Sequence, residues 1–204
     1  PAPMLAIAGP KACGKSLFQN LVTEMFGGRS ANPYRYLTGQ TPFNGDLLAA
    51  EHLLIEDDAN QTDLRFRRQF GSQLKNLVFN ETQSLHRKTR DAVSVSGFSR
   101  VTITLNEEAE NLAVLPPIDD SLLDKITLIR AYPASYPYGK DDLAGRTAYR
   151  KQLSAELPAF LHFLRGLRIP ESLQDQRSGV RAYQDPELMQ ELLMMSPELA
   201  LLEL

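Results

Sequence analysis

The octet Gly9-Pro-Lys-Ala-Cys-Gly-Lys-Ser16 constrains the fold of this chain more than any other feature. It follows a short apolar run, Met4–Ala8. It precedes a stretch from Lys15 to Phe26 in which Leu17, Phe18, Leu21, Val22, Met25 and Phe26 recur at three- and four-residue spacing. The run reads as a buried strand and the stretch as an amphipathic helix stopped by Gly27-Gly28. A glycine-rich turn between a strand and a helix aims backbone N–H groups and the positive helix end at one spot, which suits an anion. The octet fits the pattern G-x-x-x-x-G-K-[ST]. Gly9, Pro10, Lys11, Ala12, Cys13, Gly14, Lys15 and Ser16 are therefore expected to cradle phosphates, with Lys15 at the β- and γ-phosphates and the Ser16 hydroxyl on Mg²⁺. Cys13 is read as a small residue tolerated in the loop.

The rest of the chain supports a phosphate loop inside an α/β sheet. Strand candidates at His52–Ile55, Val101–Leu105 and Ile126–Ile129 alternate with a helical pattern over residues 62–79, which argues for parallel strands flanked by helices. In that helix Arg65, Arg67, Arg68 and Lys75 are expected outside. A further short strand is expected at Tyr34–Thr38. The Pro-, Tyr- and Gly-rich stretch Tyr132–Asp142 reads as a boundary, giving a core over residues 1–132 and a small helical subdomain over 133–204. In the latter, Leu153, Leu157, Phe160, Leu161 and Leu164 share a face, Pro158 is expected to kink or restart the helix, and Pro186–Leu204 carries a second apolar stripe.

Composition narrows the class. With 204 residues, 43% hydrophobic and 23% charged, the chain is ordinary globular material and excludes a disordered tail. No run approaches the roughly 18 apolar residues of a membrane span. One cysteine excludes an internal disulfide and a structural zinc site, and fits a reducing, cytoplasmic setting. The chain enters its first strand almost at once after Pro1, so a longer polypeptide with a neighbouring domain is expected.

A phosphate loop needs carboxylates at the end of a buried strand, one near Mg²⁺ and one to activate water. Leu53-Leu-Ile-Glu-Asp-Asp58 supplies Glu56, Asp57 and Asp58, with Asp57 expected in the metal shell; spacing leaves open which two do the work. Val101–Asn106 is a strand ending in an amide. Alone, such an asparagine is a turn residue. Following a phosphate loop and an acidic strand end, it can position the lytic water.

The order of phosphate loop, acidic strand end, basic segment and Thr-x-Asn strand resembles the superfamily 3 helicases, which are AAA+ P-loop ATPases found in small DNA viruses and in phage or poxvirus-type primase–helicases. Leu54–Asp58 is similar to that family's acidic motif and Thr102–Asn106 to its asparagine motif. Leu123-Asp-Lys-Ile-Thr127 is similar to the segment carrying its subunit-bridging cation, and Glu156–Phe160 to the closing helical region of phage primase–helicases. The likeness covers about residues 4–138. It implies an AAA+-like P-loop NTPase fold, ATP with Mg²⁺, hydrolysis coupled to DNA, and a hexameric ring. It also implies a preceding primase domain and a bacterial or phage origin. Glu56, Asp57, Asp58 and Asn106 would be catalytic. Lys125 stands where the family has arginine; a point charge replaces a planar fork, and Arg130 is the alternative. His86-Arg-Lys-Thr-Arg90 resembles a hairpin that touches DNA phosphates, so Arg87, Lys88, Thr89 and Arg90 are the candidate DNA contacts. A ring would concentrate that charge on its axis despite a net charge of −3.

Two other functions fit a phosphate loop. A phosphotransferase, such as a nucleotide or small-molecule kinase, needs an arginine-bearing lid, for which Lys140, Arg146 and Arg150 are the nearest cations. A nucleotide-gated assembly ATPase would not separate strands. No Asn-Lys-x-Asp guanine motif occurs, which disfavours a GTPase.

Overall fold

The computed structural model describes residues 2–56, 63–80, 82–88, 91–96, 98–135 and 142–194. Strand β1 (Met4–Ala8) leads through the octet into helix α1 (Lys15–Met25). Strand β2 (Ser30–Ala31), helix α2 (Tyr34–Leu37), strand β3 (His52–Ile55) and helix α3 (Leu64–Phe79) follow. A hairpin of β4 (Gln83–Leu85) and β5 (Val93–Val95) precedes strand β6 (Arg100–Leu105), helix α4 (Ala109–Leu112) and strand β7 (Ile126–Arg130). Five strands form one sheet in the order β2-β3-β6-β1-β7, every neighbouring pair parallel. An all-parallel sheet needs crossovers on its faces, and the helices supply them. The expected α/β class, a parallel sheet flanked by helices, is what forms.

Alternation along β6 shows how both faces are buried. Val101, Ile103 and Leu105 point into a core with Met4, Ala6, Leu53 and Ile55 from the sheet and Phe70 and Leu74 from α3. Thr102 and Thr104 point to the opposite face and are equally buried there, beneath α1, where Gln19 bonds both of them. The sheet thus has an apolar face and a mixed face, on which buried Thr102 and Thr104 stand level with Leu5 and Ile7.

Two local expectations are corrected. Tyr34–Leu37 is helical, not a strand. The Asn32 Oδ1 accepts from the Tyr34 amide at 2.9 Å and the Thr38 hydroxyl donates to the Tyr34 carbonyl at 2.8 Å, so local side-chain bonds favour the turn. Arg67 is 9% exposed, not on a solvated face. Its Nε donates to the Leu115 carbonyl at 2.8 Å, which satisfies that N–H where the side chain is buried.

Beyond the core lie helix α5 (Leu143–Gly166), a two-residue hairpin of β8 (Gln174–Asp175) and β9 (Gly179–Val180), and helix α6 (Pro186–Met194). Asp142 caps α5 by accepting from the Ala144 and Gly145 amides, and the helix runs through Pro158 without a break. Ser154 and Arg150 tie α5 to Glu24 of α1. Leu188 and Leu192 of α6 enter the main core. The backbone of residues 183–185 bonds Leu128 of β7. Among the described residues no helix is long and apolar enough to cross a membrane.

Candidate functional site

The octet forms a tight loop at the carboxyl end of β1. Gly14 has φ 99° and Ala12 φ 63°, left-handed conformations that bring the loop back over the start of α1. A side chain at Gly9 would place Cβ 2.4 Å from the Ala131 carbonyl oxygen, so the seam between β1 and the chain leaving β7 admits only hydrogen there. Helix α1 starts at Lys15 with no side-chain cap, so its first-turn amides are left for an external acceptor.

The loop opens on a cavity of about 480 Å³ lined by residues 11–17, Thr104, Asn106 and Arg146. Sites for small ligands commonly fall between roughly 300 and 1,000 Å³. The Lys15 ammonium lies within it. It donates to the Gly9 carbonyl at 2.7 Å, the Pro10 carbonyl at 2.9 Å and the Asn106 Oδ1 at 3.2 Å. The two residues separated by 91 positions are therefore brought together, because β6 lies beside β1 with Leu105 level with Ala8. Ser16 is exposed in the first turn of α1. Glu56 is exposed one residue past the end of β3, where Ile55 is paired with Ile103 of the same β6. The strand carrying Asn106 is thus flanked by the strand of the loop and the strand of the acids. Asp57 and Asp58 lie outside the described residues.

The remaining candidates lie elsewhere. Arg87 and Lys88 are exposed in the connection of the β4–β5 hairpin, and Thr89 and Arg90 lie outside the described residues. Lys125 precedes β7, whose Ile126 is level with Met4, while the phosphate loop follows Ala8. About five residues of strand, or about 16 Å at 3.3 Å per residue, separate Lys125 from its own chain's loop. Its side chain is 12% exposed, paired with Asp124 and set 4.9 Å over the Phe79 ring. Arg130 is at the loop's end of the sheet but is enclosed by Glu107, Asp185, Glu187 and Glu191 at 3.2–3.9 Å. It fastens α6 to β7.

Thr104 and Arg146 were not among the expected site residues. Thr104 was legible in principle, since residues two apart on a strand share a face and Asn106 was already a candidate. Arg146 was visible only as one of several cations after the boundary. Its place at the cavity follows from Asp142 starting α5 one turn earlier.

A model of a family of unknown function, DUF5906, matches residues 7–121, more than half of the chain and all of the loop-to-asparagine region. The chain belongs to the DUF5906 family. No curated protein matches this DUF5906 chain. Two apo structures of the NrS-1 C-terminal region superpose with TM-scores of 0.67 and 0.68 at 17% and 16% identity, covering 97% and 95% of this chain and 43% of each of theirs. The chain therefore spans less than half the length of those structures, and at such identity the likeness is one of fold. A JCV helicase structure aligns over 98% of the chain and 52% of its own at 17% identity with a TM-score of 0.49, a likeness too loose to carry an argument.

Proposed function

We propose that this DUF5906 chain is an ATP-hydrolysing motor domain that acts on DNA, of the helicase or translocase kind found in primase–helicases. The observation that carries the reading is the Lys15–Asn106 contact inside the loop cavity. It sets the phosphate cation and a neutral amide at one point, where a γ-phosphate and its attacking water would meet. In this reading the loop amides and Lys15 bind the phosphates, Asn106 orients the water, and an acid at the end of β3 accepts its proton. Glu56 and Asp57 or Asp58 are the candidates for that acid. Arg146, reaching the cavity from α5, adds a second cation from the same chain.

In this reading Mg²⁺ would be held largely by phosphates and water, with Ser16, exposed in the first turn of α1, and Asp57 of the acidic run as the protein groups to hold it. Among the described residues no cluster of three His, Cys, Asp or Glu side chains stands ready to hold an ion without them. When bound, the ion would neutralise charge developing on the phosphates. The same Arg146 is the one observation favouring a phosphotransferase, since a lid cation over the cavity suits transfer to an acceptor. Phosphate release from ATP, measured with and without single-stranded DNA, separates the two. Stimulation by DNA supports the motor; turnover that appears only with a small hydroxyl acceptor, with phosphate transferred to it, replaces the motor with a kinase.

A further inference from the structure

One buried side chain joins the phosphate-loop helix to the two strands that end in the candidate acids and Asn106. Gln19 lies one turn along α1 from Lys15 and is 1% exposed. Its Nε2 donates to the Ile55 carbonyl at 3.2 Å, the residue before Glu56, and to the Thr102 hydroxyl at 2.9 Å on β6. Its Oε1 accepts from the Thr104 hydroxyl at 3.1 Å, two residues before Asn106 and itself at the cavity wall. Thr102 in turn meets His52 Nε2 at 2.8 Å, and His52 Nδ1 meets the Thr23 hydroxyl at 2.6 Å. The Thr23 hydroxyl donates to the Gln19 carbonyl at 3.1 Å, which closes a ring.

The protons in this ring have one consistent arrangement. Thr23 spends its hydrogen on the Gln19 carbonyl, so it accepts from His52, which fixes the Nδ1–H tautomer. His52 Nε2 is then an acceptor for the Thr102 hydroxyl, and Thr102 accepts from Gln19. All the polar side-chain atoms of Gln19, Thr102 and His52 have partners, as their burial demands. Such a saturated network holds its members in one geometry, because any shift strands a dry donor or acceptor.

We infer that Gln19 is a positioning residue for hydrolysis: it sets the phosphate-loop helix against the strand ends that carry the acids and Asn106. This rests on the ATPase reading. Nucleotide affinity comes mainly from the loop's amides and Lys15, whose geometry is local. Turnover also needs the acid and the asparagine at the right distance from the loop, and Gln19 ties the loop's helix by side-chain bonds to both strands that carry them. A misplacement of about 1 Å costs on the order of a hundredfold in rate.

The test compares Gln19→Leu with Leu74→Ala, a core change on the opposite side of the sheet that lowers stability without touching the ring. Steady-state ATP hydrolysis gives kcat, and calorimetric titration with ADP gives affinity. The expected result is a kcat loss of about tenfold or more in Gln19→Leu, with ADP affinity within about threefold of wild type, while folded Leu74→Ala keeps its kcat. A kcat loss no larger than that of Leu74→Ala, or an ADP affinity that falls as far as kcat, overturns the inference. If Gln19→Leu does not fold, the isosteric Thr102→Val, which removes the hydroxyl between Gln19 Nε2 and His52 Nε2 and lies outside the cavity lining, is expected to lower kcat about threefold at unchanged ADP affinity. An unchanged kcat there overturns the inference equally. A wild-type chain that hydrolyses no ATP overturns the ATPase reading and this inference together, whereas an active wild type matched by an equally active Gln19→Leu overturns the inference alone.

Discussion

At the scale of single residues, Lys15 and His52 make opposite demands on charge. The Lys15 ammonium is held by two loop carbonyls and the Asn106 amide oxygen, so it is aimed before any phosphate arrives. Lys15→Ala is expected to abolish ADP binding in a calorimetric titration while the thermal midpoint stays within a few degrees of wild type. Retained affinity would move the site elsewhere. His52 must stay neutral, because its ring has no exposure and its Nε2 is needed as an acceptor. Burial lowers its pKa below the ordinary 6.5. Protonation therefore favours the unfolded chain: the stability tied to neutral His52 is intact above pH 6.5 and is lost as pH falls from there toward the folded-state value. The loss is up to about 1.4 kcal/mol per pH unit. Thermal melts from about pH 8 to about pH 5 should show a drop below the ordinary histidine pKa that His52→Asn flattens, and parallel curves for the two proteins would remove His52 from the pH response.

At the scale of elements, the hairpin and the sheet teach different things. The β4–β5 hairpin offers Arg87 and Lys88 to solvent on its connecting segment, as a contact to a nucleic-acid backbone requires. Single-strand affinity falls with salt by roughly 0.7 log units per log unit for each phosphate contact. The Arg87→Ala/Lys88→Ala pair should therefore lower both the affinity for single-stranded DNA and the salt slope, by up to about 1.4 if each residue makes one contact. An unchanged slope in a fluorescence titration across salt would assign the two residues to plain solvent. Strands β1, β3, β6 and β7 were legible because each is a short apolar run bounded by turn residues, whereas the two-residue β2 carries no such signal, and the octet between the first strand and helix set the class. What the sequence concealed was the burial of Thr102 and Thr104. Thr102 and Thr104 in Val-Thr-Ile-Thr-Leu look like the wet side of a half-buried strand, and a glutamine from a helix 83 residues away, together with His52, makes them tolerable in the interior. Arg67 was hidden for a similar reason, since a carbonyl 48 residues away accepts from its buried Nε. Tyr34–Leu37 was misread because its β-prone tyrosines were outvoted by Asn32 and Thr38 bonding to the local backbone. The loop and Asn106, which line one cavity, were readable in order; Arg146 was not, because long-range placement of α5 decides it.

At the scale of the whole molecule, the open question for the proposed motor is whether one chain completes another's site. Within the chain, Arg130 is committed to four carboxylates and to holding α6, which makes it a poor donor to a neighbour. Lys125 lies at the other end of the strands from its own loop, so any contribution to a phosphate site would be to the loop of a second copy. The geometry also gives it a plain structural task, covering Phe79 together with Arg177. The two roles predict different kinetics. If Lys125 serves a neighbour, Lys125→Ala should bind ADP normally and hydrolyse ATP at least about tenfold more slowly, because a charge acting mainly in the transition state has been removed. Mixing it with Lys15→Ala should then restore part of the activity, since a mixed interface can pair an intact loop with an intact Lys125. We expect that recovery. Two variants that remain inactive when mixed, with subunit exchange shown by a labelled chain, would leave Phe79 and Asp124 as the whole business of Lys125. In that case Lys125→Ala should show its effect as a lower thermal midpoint at nearly normal turnover, a cost of about 1 kcal/mol for the lost cation–π contact and ion pair.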